Sequence, residues 1–179
     1  MASSTRFVWI DLEMTGLDPE SCAIVEIGVI LTGPELQPLV ELERAIWQPE
    51  EVLARMDPTV RDMHTKSGLL DRVRKSRVGM REAEKDVLSL ISSHCRPGEG
   101  FLAGNSIHKD RAFLALYMPA VERYLHYRQV DVSTLKVLAT AWYGEPMRFV
   151  KGDKSHTALD DLRYSIAELR FYRSQMLRA

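Results

Sequence analysis

A chain of 179 residues can bury one proper core and not two, so a single domain over residues 1–179 is expected. With 45% hydrophobic and 27% charged residues it is neither disordered nor built for a bilayer, and no apolar run approaches the roughly 20 residues of a membrane span. Its 24 basic and 25 acidic residues net −1, which argues against a protein that grips long duplex nucleic acid through many phosphate contacts. Two cysteines, Cys22 and Cys95, provide neither a disulfide framework nor a metal-binding pair. The N-terminus lacks the pattern of a signal peptide, so the cytoplasm is the expected location.

Phe7 to Leu12 is apolar and β-rich, and Ile24 to Leu31 and Leu39 to Trp47 follow it. Turn residues separate them at Thr32-Gly33-Pro34 and Gln37-Pro38. Three strands this close, with no helix between them, predict an antiparallel meander. From about Glu50 the pattern turns helical, with an amphipathic segment from Arg81 to His94. The basic run Arg72, Arg74, Lys75 and Arg77 reads as a solvated loop or helix start. A short strand fits Phe101 to Ala103, then a helix Ile107 to Tyr117, a strand Tyr127 to Val130 and a helix Ser133 to Trp142. A last helix runs from about Ser155 to Leu177. Strands first, then helices alternating with strands, predict an α/β mixed sheet with helices packed on it.

Asp11-Leu12-Glu13 stands at the end of the first strand. Residues two apart on a strand share a face, so both carboxylates leave the sheet on one side. Two acids closing a buried strand are costly unless a cation meets them. The plain alternative is a polar strand end facing water. Asp110 lies three and four residues before Phe113 and Leu114 and shares their apolar helix face, where a carboxylate is uncommon. In the last helix Ala158, Leu162, Ile166 and Leu169 define the buried stripe. Asp161 borders that stripe and Asp160 points away from it. Ser155 is a candidate N-cap, which would put His156 in the first turn.

If these four acids meet, they need compensation. Two carboxylates about 4 Å apart repel by roughly 4 kcal/mol at an effective dielectric of 20. An oxygen-only ligand set selects Mg²⁺ or Mn²⁺ over softer metals. Two such ions can serve the attacking and leaving oxygens of a phosphoryl transfer.

Asp11-x-Glu13, Asn105-x₄-Asp110 and His156-x₄-Asp161, in that order, resemble the three motifs of the DEDDh 3′→5′ exonuclease superfamily. Within it the chain is most similar to the oligoribonuclease family. The residues that carry this are Trp9 to Leu17, Ala103 to Ser106, His126 to Arg128, Asp131 to Lys136 and Ala158 to Asp161. The resemblance implies a ribonuclease H-like fold, a five-stranded mixed sheet whose first three strands are antiparallel, flanked by helices. It implies Asp11, Glu13, Asp110 and Asp161 as ligands of two divalent cations and His156 as general base. The implied substrates are short RNA oligonucleotides and dinucleotides, cut to 5′-mononucleotides.

The same resemblance gives Leu17 as a wedge between two bases, with Ser106 and His64 lining the pocket. Tyr127 and Arg128 from the second subunit of a homodimer, with Ser133 and Thr134, would close on the 5′ phosphate. Duller roles are open to several of them: Leu17 as a core residue beside a turn, Ser133 and Asp131 as local helix caps, and Tyr127 as an interface residue. One departure stands out. The family often has an aromatic residue shortly after Met56-Asp57, and this chain reads Pro58-Thr59-Val60. A base–aromatic stack is worth roughly 1–3 kcal/mol. A DNA-directed exonuclease with an open groove, and a non-catalytic nucleotide-binding protein, are the competing readings.

Overall fold

In the computed structural model, which describes residues 5–144, 147, 149, 150 and 157–176, the apolar opening segment forms β1 (Arg6–Met14). β2 (Ile24–Thr32) and β3 (Pro38–Ala45) follow, each antiparallel to the strand before it. The meander is as expected. β1 runs two residues past Leu12, however, so Asp11 and Glu13 both lie inside the strand. β3 stops before Ile46 and Trp47.

The helical stretch from Glu50 breaks into α1 (Glu50–Ala54), α2 (Pro58–Lys66) and α3 (Leu69–Lys75). The breaks have local causes. Asp57 caps α2 by accepting from the N–H groups of Thr59 and Val60, and Pro58 opens the helix. Gly68, between α2 and α3, has a φ of 72°, a conformation glycine takes without steric penalty. α4 (Met80–Ser92) buries Ala83, Val87 and Ile91 at helical spacing.

β4 (Gly100–Gly104) leads into α5 (His108–Tyr117) and a short α6 (Pro119–Tyr124) that the sequence reading does not anticipate. β5 (Gln129–Asp131) and α7 (Val132–Tyr143) come next, and α8 (Ala158–Met176) is the last described helix. The sheet order is β3-β2-β1-β4-β5, with β1–β4 and β4–β5 parallel. This is the five-stranded mixed sheet of a ribonuclease H-like α/β fold. Among the described residues, no helix is long and apolar enough to cross a membrane. Both cysteines are free thiols.

Alternation along β1 sorts two cores. Val8, Ile10 and Leu12 pack with Val87 and Ile91 of α4 and with Phe113 and Leu114 of α5. Trp9 packs on the other face with Val132 and Ala139 of α7 and with Leu162, Ile166 and Tyr172 of α8. Asp11 and Glu13 continue the Trp9 face, towards the start of α8. That start is capped by Thr157, whose hydroxyl accepts from the Asp160 N–H at 3.3 Å. Ser155, expected as the cap, lies outside the described residues, as do His156 and Leu177.

Candidate active site

The four acids come from three elements that end near one another. β4 pairs with β1 only as far as Trp9↔Ala103, so the edge of β1 beyond Trp9 is open to α5. Asp110, in the first turn of α5, fills that edge: its Oδ1 accepts from the Leu12 N–H at 3.0 Å. The carboxylate is 7% exposed, on the same helix face as Phe113 and Leu114, which are fully buried. From the other side α8 delivers Asp161. One carboxylate oxygen from each of Asp11, Glu13 and Asp161 lies within 4.8 Å of the other two. Asp160 is turned away, bonded to Arg163 at 2.7 Å and to Thr157.

The electrostatics show how costly this arrangement is without a cation. Burial pushes the Glu13 carboxyl up to about 8, and the negative charges of Glu26, Asp161 and Asp110 add to the effect while Arg72 opposes it. Asp110 is pushed up to about 7, again chiefly by burial, against the pull of the Leu12 N–H. Hard carboxylate oxygens this close are the donor set that suits one divalent ion of the Mg²⁺ or Mn²⁺ type.

Behind the acids lie residues the sequence reading missed. Glu26 sits opposite Glu13 in the β1–β2 register and is fully buried. It ion-pairs with Arg72 of α3, which also approaches Glu43 Oε2 at 3.5 Å. The basic run is therefore not simply solvated: Arg72 neutralises a buried acid, and Arg74 pairs with Glu50 at 2.7 Å. The available signal was Glu26 itself, a lone charge inside the apolar run from Ile24 to Leu31.

His64 is also buried. Its Nε2 lies 2.9 Å from the Met14 carbonyl, and since a carbonyl only accepts, Nε2 carries the proton. Nδ1 faces Glu13 Oε2 at 3.8 Å, and burial holds the imidazole below its ordinary pKa. His64 thus stands against Glu13, at the edge of the acidic cluster.

Leu17, just beyond β1, is 69% exposed, which excludes a core role. Ser106 adopts a φ of 52°, and its N–H donates to both Asp131 Oδ1 and Ser133 Oγ at 3.0 Å. Its hydroxyl lies 3.3 Å from that of Ser133. Asp131 is the cap of α7, through the Ser133 N–H, so Ser133 keeps its hydroxyl for Asn105 and Ser106. Thr134 is exposed in the same turn. Asn105 in turn donates to Ser165 and to the buried Glu168 of α8, a second network the sequence reading missed.

Tyr127 is 72% exposed and stacks on His126, which rests against Phe101. The Arg128 guanidinium lies 5.2 Å from the Tyr127 ring centre. Arg111, the neighbour of Asp110, donates to the carbonyls of His126 and Tyr127 and ties this loop to α5. Where the family often has an aromatic residue, Pro58-Thr59 forms the start of α2.

An exonuclease family model matches residues 8–169 of this chain. An oligoribonuclease from Francisella tularensis subsp. holarctica is 47% identical over 178 residues, 99% of either chain. Another from Hahella chejuensis is 46% identical over 179 residues, covering 99% of this chain and 98% of its own. Among solved structures, exonuclease I from Methylocaldum szegediense superposes with a TM-score of 0.72 at 18% identity, over 96% of this chain and 41% of that one. E. coli exonuclease I in complex with an oligonucleotide gives a TM-score of 0.68 at 14% identity, over 97% and 42%. These two share the fold, and the chain spans less than half of their length. Near-complete alignment at almost half identity, on a fold that gathers Asp11, Glu13 and Asp161 around one point, shows that this chain belongs to the oligoribonuclease family.

Proposed function

We propose that the chain is a 3′→5′ exoribonuclease that hydrolyses very short RNA, above all 5′-phosphorylated dinucleotides, to 5′-mononucleotides. The observation that carries this reading is the convergence of Asp11, Glu13 and Asp161 beside a buried Asp110, in a chain of the oligoribonuclease family. The four carboxylates would hold two divalent ions, Mg²⁺ or Mn²⁺. When bound, these supply the positive charge that favours both the attacking and the departing oxygen of an in-line phosphodiester displacement.

His156 takes the proton of the attacking water, a task suited to an imidazole with a pKa near 6.5. General-base catalysis contributes about 10²–10⁴-fold. His156→Ala is therefore expected to lose about 10²-fold or more in kcat and keep a measurable residue. Initial rates on a 5′-phosphorylated dinucleotide check this, and an unchanged kcat would remove His156 from the role.

Substrate length follows from what surrounds the acids. Leu17 offers an exposed apolar edge that can slip between two bases. Ser106, Ser133 and Thr134 supply hydroxyls for a 5′ phosphate, and His64 backs the site. Tyr127 and Arg128 complete the cap from the second subunit of a homodimer. Their projection from the surface supports this, as do the exposed Trp142 and Tyr143 of α7, aromatic side chains of the kind enriched at interfaces. A monomer in sedimentation equilibrium at micromolar concentration would eliminate the cap in trans. The protein then works as one exonuclease domain over residues 1–179, in the cytoplasm, on short strands. Cleavage of a 5′-phosphorylated dinucleotide is expected to exceed that of a 20-mer by at least about tenfold in kcat/KM, the factor that roughly 1.4 kcal/mol of end-specific binding gives. Equal rates on the two would refute the short-substrate reading.

A further inference from the structure

Glu26 is fully buried in β2, opposite Glu13, and has two different partners. One carboxylate oxygen pairs with Arg72 of α3. The other, Oε2, accepts from the backbone N–H of Ala158 at 3.3 Å. Ala158 is the first residue of α8, where backbone N–H groups have no partner inside the helix. We propose that Glu26 is a positioning residue for the acidic cluster, docking the first turn of α8 on β2 and so fixing Asp161 relative to Asp11 and Glu13. The inference rests on the proposed two-metal reading and adds to it a residue that touches neither metal nor substrate.

A second feature of β2 points the same way. Gly28 lies two residues after Glu26, on the same face. A Cβ there would stand 2.8 Å from the Ala158 Cβ and 3.0 Å from the Ala158 carbonyl carbon. The helix start therefore rests directly on the strand backbone at Gly28, while Glu26 binds its N–H. Asp161 follows three residues later, within one turn, and its own N–H donates to the Thr157 carbonyl at 3.0 Å. A displacement of Ala158 is passed through that turn to the Asp161 carboxylate. Arg72 is what permits a carboxylate in this place, since a buried acid without a cation would not stay ionised.

A merely stabilising ion pair makes a different prediction, because buried pairs can commonly be replaced by apolar side chains of similar size with little loss. Two charge-balanced double variants separate the roles. Glu26→Gln with Arg72→Met keeps an oxygen for the Ala158 N–H, whereas Glu26→Leu with Arg72→Met removes it. Mn²⁺ binding to the full chain is followed by electron paramagnetic resonance, alongside kcat and KM on a 5′-phosphorylated dinucleotide and thermal melting. The glutamine pair is expected to bind Mn²⁺ within about threefold of the unmodified chain. The leucine pair is expected to bind it at least about tenfold more weakly, the usual scale for outer-shell partners, and to lose kcat more than KM. Unchanged Mn²⁺ affinity in the leucine pair overturns the proposal, and so does an equal loss in both pairs.

Should the leucine pair not fold, Glu26→Asp serves instead. It keeps the charge for Arg72 but is one methylene too short for Ala158. It is expected to weaken Mn²⁺ about tenfold and to speed hydrogen exchange at the Ala158 amide, and no change in either overturns the proposal. If the unmodified chain itself neither binds Mn²⁺ nor cleaves the dinucleotide, the functional reading fails. If it does both and the variants match it, only the role of Glu26 fails.

Discussion

Asp161→Asn is expected to abolish dinucleotide hydrolysis, by at least about 10⁴-fold, while raising the melting temperature of the metal-free chain. Both effects come from the same oxygens. Asp161 is one of three acids whose carboxylate oxygens lie within 4.8 Å of each other and could hold one cation, and a neutral amide is a poor replacement for a carboxylate on a hard cation. A bound cation contributes several kcal/mol to the transition state of a phosphoryl transfer, and each 1.36 kcal/mol is tenfold in rate. Without the cation, the charge of Asp161 is a liability, because it is among the causes that hold Glu13 up to about 8. Removing it relieves part of that repulsion, and each ~1 kcal/mol relieved raises the melting temperature by roughly 2–4 °C for a chain of this size. Melting curves with and without Mn²⁺ check the pair of effects. The unmodified chain should gain stability from the ion and the variant should gain almost none. A variant that hydrolyses normally, or that is still stabilised by Mn²⁺ as the unmodified chain is, would show that Asp161 is not a ligand.

How much of this can be read from residue order depends on how local each signal is. The meander is legible because three apolar runs are separated by turn residues. The shared side of Asp11 and Glu13 follows from a strand period of two, and the choice of Asp161 over Asp160 follows from the helical wheel. Each of these needs only a few adjacent residues. Glu26 and Arg72 lie 46 positions apart, and their pairing exists only once α3 folds over β2. In the sequence, Arg72 belongs to a basic run and Glu26 to a strand, so neither announces the other. The Asn105–Glu168 contact bridges 63 positions and is hidden for the same reason. His64 carried a family role in the pocket, but its burial against Met14 and Glu13 is a tertiary property. The division of the segment after Glu50 into three helices turns on Asp57-Pro58 and Gly68, both visible in the sequence as a helix start and a breaker.

Divalent-metal affinity is expected to fall about 10³-fold between pH 8.5 and pH 6, because the ion competes with protons on two buried carboxyls. Glu13 is held at about 8 and Asp110 at about 7, so the metal-free cluster at neutral pH is partly protonated. Between those values one proton must leave for the ion to enter, and affinity changes by up to about tenfold per pH unit. Below both, two must leave, and the slope approaches about a hundredfold per unit. His64 does not add to this trend, since burial lowers its pKa from the ordinary imidazole value and so disfavours a charged imidazole next to Glu13.

The same shifts fix the sign of the stability profile. Both carboxyls have folded-state values above their ordinary ones of 4.5 and 3.8. Their contribution to metal-free stability is complete below those ordinary values and is lost as pH rises through about 7 for Asp110 and about 8 for Glu13. Metal-free chain should therefore melt at progressively lower temperature as pH is raised from about 4 towards 8, while the stabilisation that saturating Mn²⁺ adds grows over its upper part. Calorimetry in two buffers of different ionisation enthalpy should find proton release on Mn²⁺ binding approaching two per chain at pH 6 and declining towards zero above pH 8.5. Binding without proton release at pH 6 would mean that the ion leaves Glu13 and Asp110 alone, and the acidic cluster would then not be its site.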